Sequence, residues 1–245
     1  MVCRTLLIAA VLFALFAAQG EELKPLFDQP LINSSPLRIG EKLTFKVSLL
    51  GIPAGWQMLH VAGREVIDGR EVVRVVSSSR TNKFFSKIYF FSDFRESLLL
   101  PDLISPVRYR KRIEEKRFKA EVEVIFDRRS GTAIIRERGR ERRIDVPPDI
   151  QDELSMLFLV RTRRMRIGER YFFPLLMRDK VERITVDLLG RVRIKTVLGE
   201  VEALVISSSN GHKVWLTDDE GRIPVRIEAK TKLGKAVSRL EGIER

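Results

Sequence analysis

The chain of 245 residues holds one cysteine, two histidines, two tryptophans and three tyrosines. The single cysteine, Cys3, sits at the extreme N-terminus. One thiol cannot form an internal disulfide, so stability has to come from core packing. A zinc site of the usual kind needs several Cys or His ligands at close spacing, which His60 and His212 cannot supply. No Gly-x-Ser-x-Gly elbow and no glycine-rich phosphate loop occurs. No catalytic residue, metal ligand or cofactor is therefore assigned, and the chain is read as a non-enzyme. Past residue 20 no apolar run approaches the roughly 20 residues of a membrane-spanning helix.

The one long apolar run lies at the start. Arg4 gives a positive N-terminus, residues 6–18 carry no charge, and Ala18-Gln19-Gly20 offers small residues ahead of Glu21-Glu22. This is the pattern of a cleavable secretory signal, residues 1–20, cut between Gly20 and Glu21. The alternative, an uncleaved anchor, is disfavoured by the short run. Cys3 lies in the charged region and not at the cut, so this signal carries no lipidation site. The expected location is the periplasm or cell envelope.

Removing residues 1–20 takes away Arg4 alone and leaves 44 basic against 33 acidic residues, a net charge of +11. Export and the lack of a recognition helix argue against nucleic acid as the partner of so basic a chain. The dense stretches at 108–112, 136–143 and 161–166 read either as solvated faces or as attraction to anionic lipid headgroups or another acidic envelope surface.

Residues 21–36, with three prolines, read as an extended lead-in, and residues 37–245 as a single β-rich domain. Period two dominates: Leu43, Phe45, Val47 and Leu49 alternate with Thr44, Lys46 and Ser48. Asp68-Gly69 is a two-residue hairpin signal, and turns are also expected at Leu198-Gly199 and Leu233-Gly234. A short helix is expected within 80–88. The clearest helix is expected at about 149–161, capped by Asp149, with Asp152 and Glu153 in its first turn and Arg161, Arg163 and Arg164 at its C-terminal end. Short strands separated by turns predict an antiparallel meander forming a closed or half-open barrel, with this helix packed on or across it.

Several strings occur in a familiar order: Leu49-Leu50-Gly51-Ile52-Pro53-Ala54-Gly55, Gln151-Asp152-Glu153-Leu154-Ser155, Lys195-Thr196-Val197-Leu198-Gly199-Glu200, Val214-Trp215-Leu216-Thr217-Asp218-Asp219 and Ile223-Pro224-Val225-Arg226-Ile227. On these the chain resembles the DUF3108 family of exported bacterial proteins. The resemblance implies a β-rich, barrel-like envelope protein, and brings no catalytic residues with it.

Large side chains gather in one part of the sequence. Trp56, Met58, Phe85, Tyr89, Phe91 and Phe94 are the candidate lining of a pocket for a hydrophobic molecule, with basic residues at its rim for an anionic headgroup. The same side chains also suit an ordinary filled core. Two functions follow: a binding or carrier protein for a hydrophobic, anionic lipid-like envelope component, or a structural module that meets an envelope protein partner. An enzyme acting on envelope polymers is the third alternative.

Overall fold

The structure is a computed structural model that describes residues 23–32, 37–116, 118–231 and 233–245. The signal segment and the Gly20–Glu21 cleavage lie outside these residues. Strands β1 (Leu23–Pro25), β2 (Lys42–Leu49), β3 (Ile52–Ile67) and β4 (Arg70–Thr81) precede helix α1 (Lys83–Ser86). Then come β5 (Phe91–Leu100), β6 (Ser105–Glu115), β7 (Phe118–Asp127), β8 (Thr132–Glu137) and β9 (Arg140–Asp145). Helix α2 (Ser155–Thr162) is followed by β10 (Arg170–Met177), β11 (Lys180–Thr196), β12 (Gly199–Ser208), β13 (Lys213–Thr217), β14 (Pro224–Thr231) and β15 (Gly234–Glu244).

The fifteen strands of the described residues join one sheet in the order β1-β10-β11-β12-β13-β14-β15-β2-β3-β4-β5-β6-β7-β8-β9. Every pairing is antiparallel except that of β1 with β10. Side chains from both arms of this order meet in a single apolar core, so the sheet curls on itself. The curl stays half-open, because β9 and β1 end the ladder without pairing to each other.

The period-two reading holds in β2, where Leu43 and Phe45 are fully buried while Lys46 is exposed. The tight turns use residues with positive φ: Leu50 and Gly51 (51° and 86°) between β2 and β3, and Asp68 and Gly69 (49° and 72°) between β3 and β4. Such pairs match the twist of the flanking strands. Gly55 in β3 serves close approach instead, since a Cβ there would lie 2.1 Å from the Arg80 carbonyl oxygen. We expect Gly55→Ala to push β3 and β4 apart at a cost of about 1–3 kcal/mol. Urea denaturation reads this, and an unchanged midpoint would rule it out.

The second helix departs from expectation. It begins at Ser155 and not near Asp149, because the preceding residues have other partners. The Gln151 amide donates to the Pro174 carbonyl (2.9 Å), and the Leu176 amide donates to the Gln151 carbonyl (2.8 Å). Gln151 thus forms a parallel bridge to β10. Asp152 then turns the chain: its Oδ1 accepts the amides of Leu154 and Ser155, both at 2.7 Å. Asp149 caps nothing here. The segment crosses the gap left between β9 and the β1–β10 edge, and α2 lies inside the curl with Phe158 and Leu159 fully buried.

Candidate functional site

Register decides which side chains reach the interior. On β5, Asp93, Arg95, Ser97 and Leu99 stand opposite Ser79, Ser77, Val75 and Val73 of β4. Those in turn stand opposite inward-facing positions of β3, including Gln57, Leu59 and Val61. On β6 the inward residues Ile113, Lys111 and Tyr109 oppose Asp93, Arg95 and Ser97. From the other arm Ile184 and Val186 of β11, Val214 of β13, Ile227 of β14 and Ala236 of β15 face the same space.

These strands and α2 enclose a cavity of about 680 Å³. Its walls are mostly apolar, and Leu154, just ahead of α2, lines one side together with Met156, Leu157 and Val160 of the helix. The strand ends that border it all lie at one end of the meander, with the β2–β3 and β14–β15 turns, α1 and the 209–212 loop. The volume falls within the roughly 300–1,000 Å³ typical of small-molecule pockets.

One part of the wall is charged. The Arg95 guanidinium lies 2.9 Å from Asp93 and 3.3 Å from Glu153, and Lys111 Nζ donates to both Glu153 oxygens at 2.8 and 2.9 Å. The Asp93 side chain is 6% exposed and that of Glu153 is 19%. Burial pushes the Asp93 carboxyl up, and Arg95 and Lys111 only partly offset this. For Glu153 burial is outweighed by Arg95 and Lys111, which hold it below the usual carboxylate range. Burial opposes the charge of Arg95, yet Asp93 and Glu153 hold it above its ordinary value. Burial, aided by Glu153, pushes the Tyr109 phenol well up. His212, on the cavity wall, is pushed down by burial and next by Arg95.

Two buried oxygens in this cluster, Asp93 Oδ1 and Tyr109 Oη, have no hydrogen-bond partner among the described residues. Unmet buried polar atoms are costly, and Asp93 lines the cavity, so a polar group on an occupant would relieve the cost there. Behind the cluster, fully buried Asp152 accepts a hydrogen bond from Ser97 Oγ at 2.6 Å. Burial pushes its carboxyl up to about 6, against the opposing effect of Ser97 and the two helix amides.

Of the six aromatic and methionine positions singled out from sequence, Phe85, Tyr89 and Phe91 line the cavity, and Trp56 borders its mouth while 44% exposed. Met58 and Phe94 do not reach it. They stand across from Ser78 on either side, in the row Thr44, Met58, Ser78, Phe94, Arg112 on the outer face of the sheet. Successive strand residues point to opposite faces, so a neighbour of Asp93 cannot share its side. The charged group Asp93, Arg95, Lys111 and Glu153 escaped the sequence reading, as did the apolar residues of α2 as a cavity wall.

Comparison with known proteins supports the architecture. A beta-barrel-like protein of a domain of unknown function, DUF1849, from Brucella abortus is similar in structure, with a TM-score of 0.53 and 9% identity, covering 84% of this chain and 97% of that one. That likeness concerns the fold alone. A protein from Bacteroides fragilis with a YmcC-like fold, a candidate exported protein, matches at a TM-score of 0.30 and 10% identity, over 86% of this chain and 98% of that one. No curated protein matches the chain. No described helix is long and apolar enough to cross a membrane. Residues 44–241 match the family model for DUF3108, a protein of unknown function. That span is most of the sequence, and the chain belongs to the DUF3108 family.

Proposed function

We propose that the chain is an exported, non-enzymatic binding protein of the periplasm or cell envelope, whose cavity takes up the apolar part of a lipid-like molecule. The observation that carries this reading is the apolar cavity of about 680 Å³, open at one end of the curl. Export is supported by the signal pattern of residues 1–20. At the mouth, Lys213 and Lys230 border the cavity, are exposed, and have no ion-pair partner among the described residues. They suit an anionic headgroup held in water while its chains lie inside. The Asp93–Lys111 part of the wall suits a polar group within the ligand. A cavity of this size favours binding over the alternative of an interaction module with a filled core.

Native mass spectrometry after gentle purification tests the reading, and a lipid-sized adduct is expected. A fluorescent fatty-acid probe should bind saturably in solution. Ala236 faces the cavity from β15, so Ala236→Phe fills it. We expect this variant to weaken probe binding at least tenfold while the protein still melts cooperatively. Absence of both adduct and saturable uptake in the unaltered protein would sink the proposal.

A further inference from the structure

The exposed apolar side chains include a group at the open end of the curl. Leu50, Ile52, Phe84, Ile88 and Leu233 are 69, 54, 67, 69 and 40% exposed. They come from three separate segments: the β2–β3 turn, α1 with its tail, and the β14–β15 turn. The segments are stitched together. Leu50 donates its amide to the Lys235 carbonyl at 3.2 Å, and the Leu50 side chain fills the space beside Gly234, where a Cβ would meet it at 2.6 Å. Asn82, ahead of α1, donates its amide to the Ala54 carbonyl (2.8 Å) and its side-chain Nδ2 to the Pro53 carbonyl (2.9 Å). Single exposed apolar residues are ordinary, but a stitched group around the mouth of an apolar cavity is a patch.

The patch is accompanied by positive charge. Lys83 and Lys87 flank Phe84 and Ile88 in sequence, and Lys116, across from them, lies 4.9 Å over the Tyr89 ring. All three are exposed and have no ion-pair partner among the described residues. The acidic groups nearby are engaged: Glu115 accepts from the Tyr89 hydroxyl, and Glu228 pairs with Arg226 and Lys235. Apolar tips beside unpaired lysines match the two layers of an anionic bilayer, acyl chains below and negative headgroups above.

We propose that this rim docks on an anionic membrane surface, so that the mouth of the cavity opens against the lipid. The inference rests on the cavity reading for its purpose, but docking is measured separately. Flotation with vesicles tests it, using the exported form from Glu21 onward, which keeps every described element. The protein is expected to float with phosphatidylcholine vesicles that contain phosphatidylglycerol, and far less with phosphatidylcholine alone. Each lysine near an anionic surface is worth about fivefold in partition, so K83A/K87A/K116A is expected to lower flotation about a hundredfold. F84S/I88S is expected to lower it at least tenfold on the anionic vesicles. Both variants should still bind the fatty-acid probe in solution, whereas Ala236→Phe should lose the probe and still float. Docking is overturned if the unaltered protein does not float, floats equally with neutral vesicles, or floats as well as its rim variants. Failure of probe binding with intact flotation would overturn the cavity reading and leave docking standing.

Discussion

Replacing Arg161 by methionine is expected to destabilise the fold by about 3–5 kcal/mol, because it strands a buried carboxylate. Arg161 Nη1 and Nη2 donate to the two Glu41 oxygens at 2.6 and 2.8 Å, and the two side chains are 3% and 1% exposed. The guanidinium also donates to the Gly221 carbonyl from Nε (3.2 Å) and Nη2 (2.9 Å). One side chain therefore ties α2 to the approach to β2 and to the loop before β14. Against a total stability of about 5–15 kcal/mol for a typical domain, such a loss is severe. The double variant Arg161→Met with Glu41→Leu is expected to recover much of it, since no charge is then left unpaired. Chemical denaturation of the three proteins decides the matter: if the double variant is as unstable as the single one, packing and not charge explains the effect.

The second large effect concerns Asp152. Asp152→Ala removes the acceptor of two helix amides and of Ser97, and is expected to cost about 3 kcal/mol or more. Asp152→Asn keeps an oxygen for both amides and reverses the Ser97 bond, so it is expected to fold well. The carboxyl titrates near 6 in the folded chain, above its ordinary value of 3.8. Between those values the folded state holds a proton that the unfolded state has released. The stability that this group contributes is thus present below about pH 4 and lost as pH rises to about 6. At neutral pH the ionised, fully buried carboxylate is a burden that asparagine lacks. The stability of the asparagine variant relative to the parent should therefore rise by about 2–3 kcal/mol from pH 4 to pH 7. Parallel stability curves over that range would show that Asp152 does not titrate as described.

Much of the sheet was legible because alternation is a local property. In β2 the apolar parity alone separates the inside from the outside. Pro224 stands at the first position of its strand, as a residue without an amide donor should. The site was less legible. The aromatic run from Phe84 to Phe94 mixes both parities, so its members cannot all face one cavity. In β5 both faces carry polar residues, and only the register with β4 and β6 shows that Asp93 and Arg95 turn inward. Asp152, Glu153 and Arg161 read locally as charges at the two ends of a helix. Their true partners, on β5, on β6 and just ahead of β2, lie from 42 to 120 residues away in the chain, and no local pattern encodes such pairings.

The gap between β9 and the β1–β10 edge also bears on the mechanics of the molecule. In a closed barrel, strand number and stagger fix the girth, and widening it means tearing a whole ladder. Here the two arms meet across the gap through the exposed Arg142–Asp179 pair at 2.7 Å. The Gln151 bridge adds two main-chain hydrogen bonds to β10. An exposed ion pair is worth at most about 1 kcal/mol. The curl thus has a seam: parting it would leave every antiparallel ladder intact, while α2 stays tied to Glu41 and Gly221 through Arg161. Girth along that seam is therefore held by side chains and one main-chain bridge, and not by a closed ring of strands.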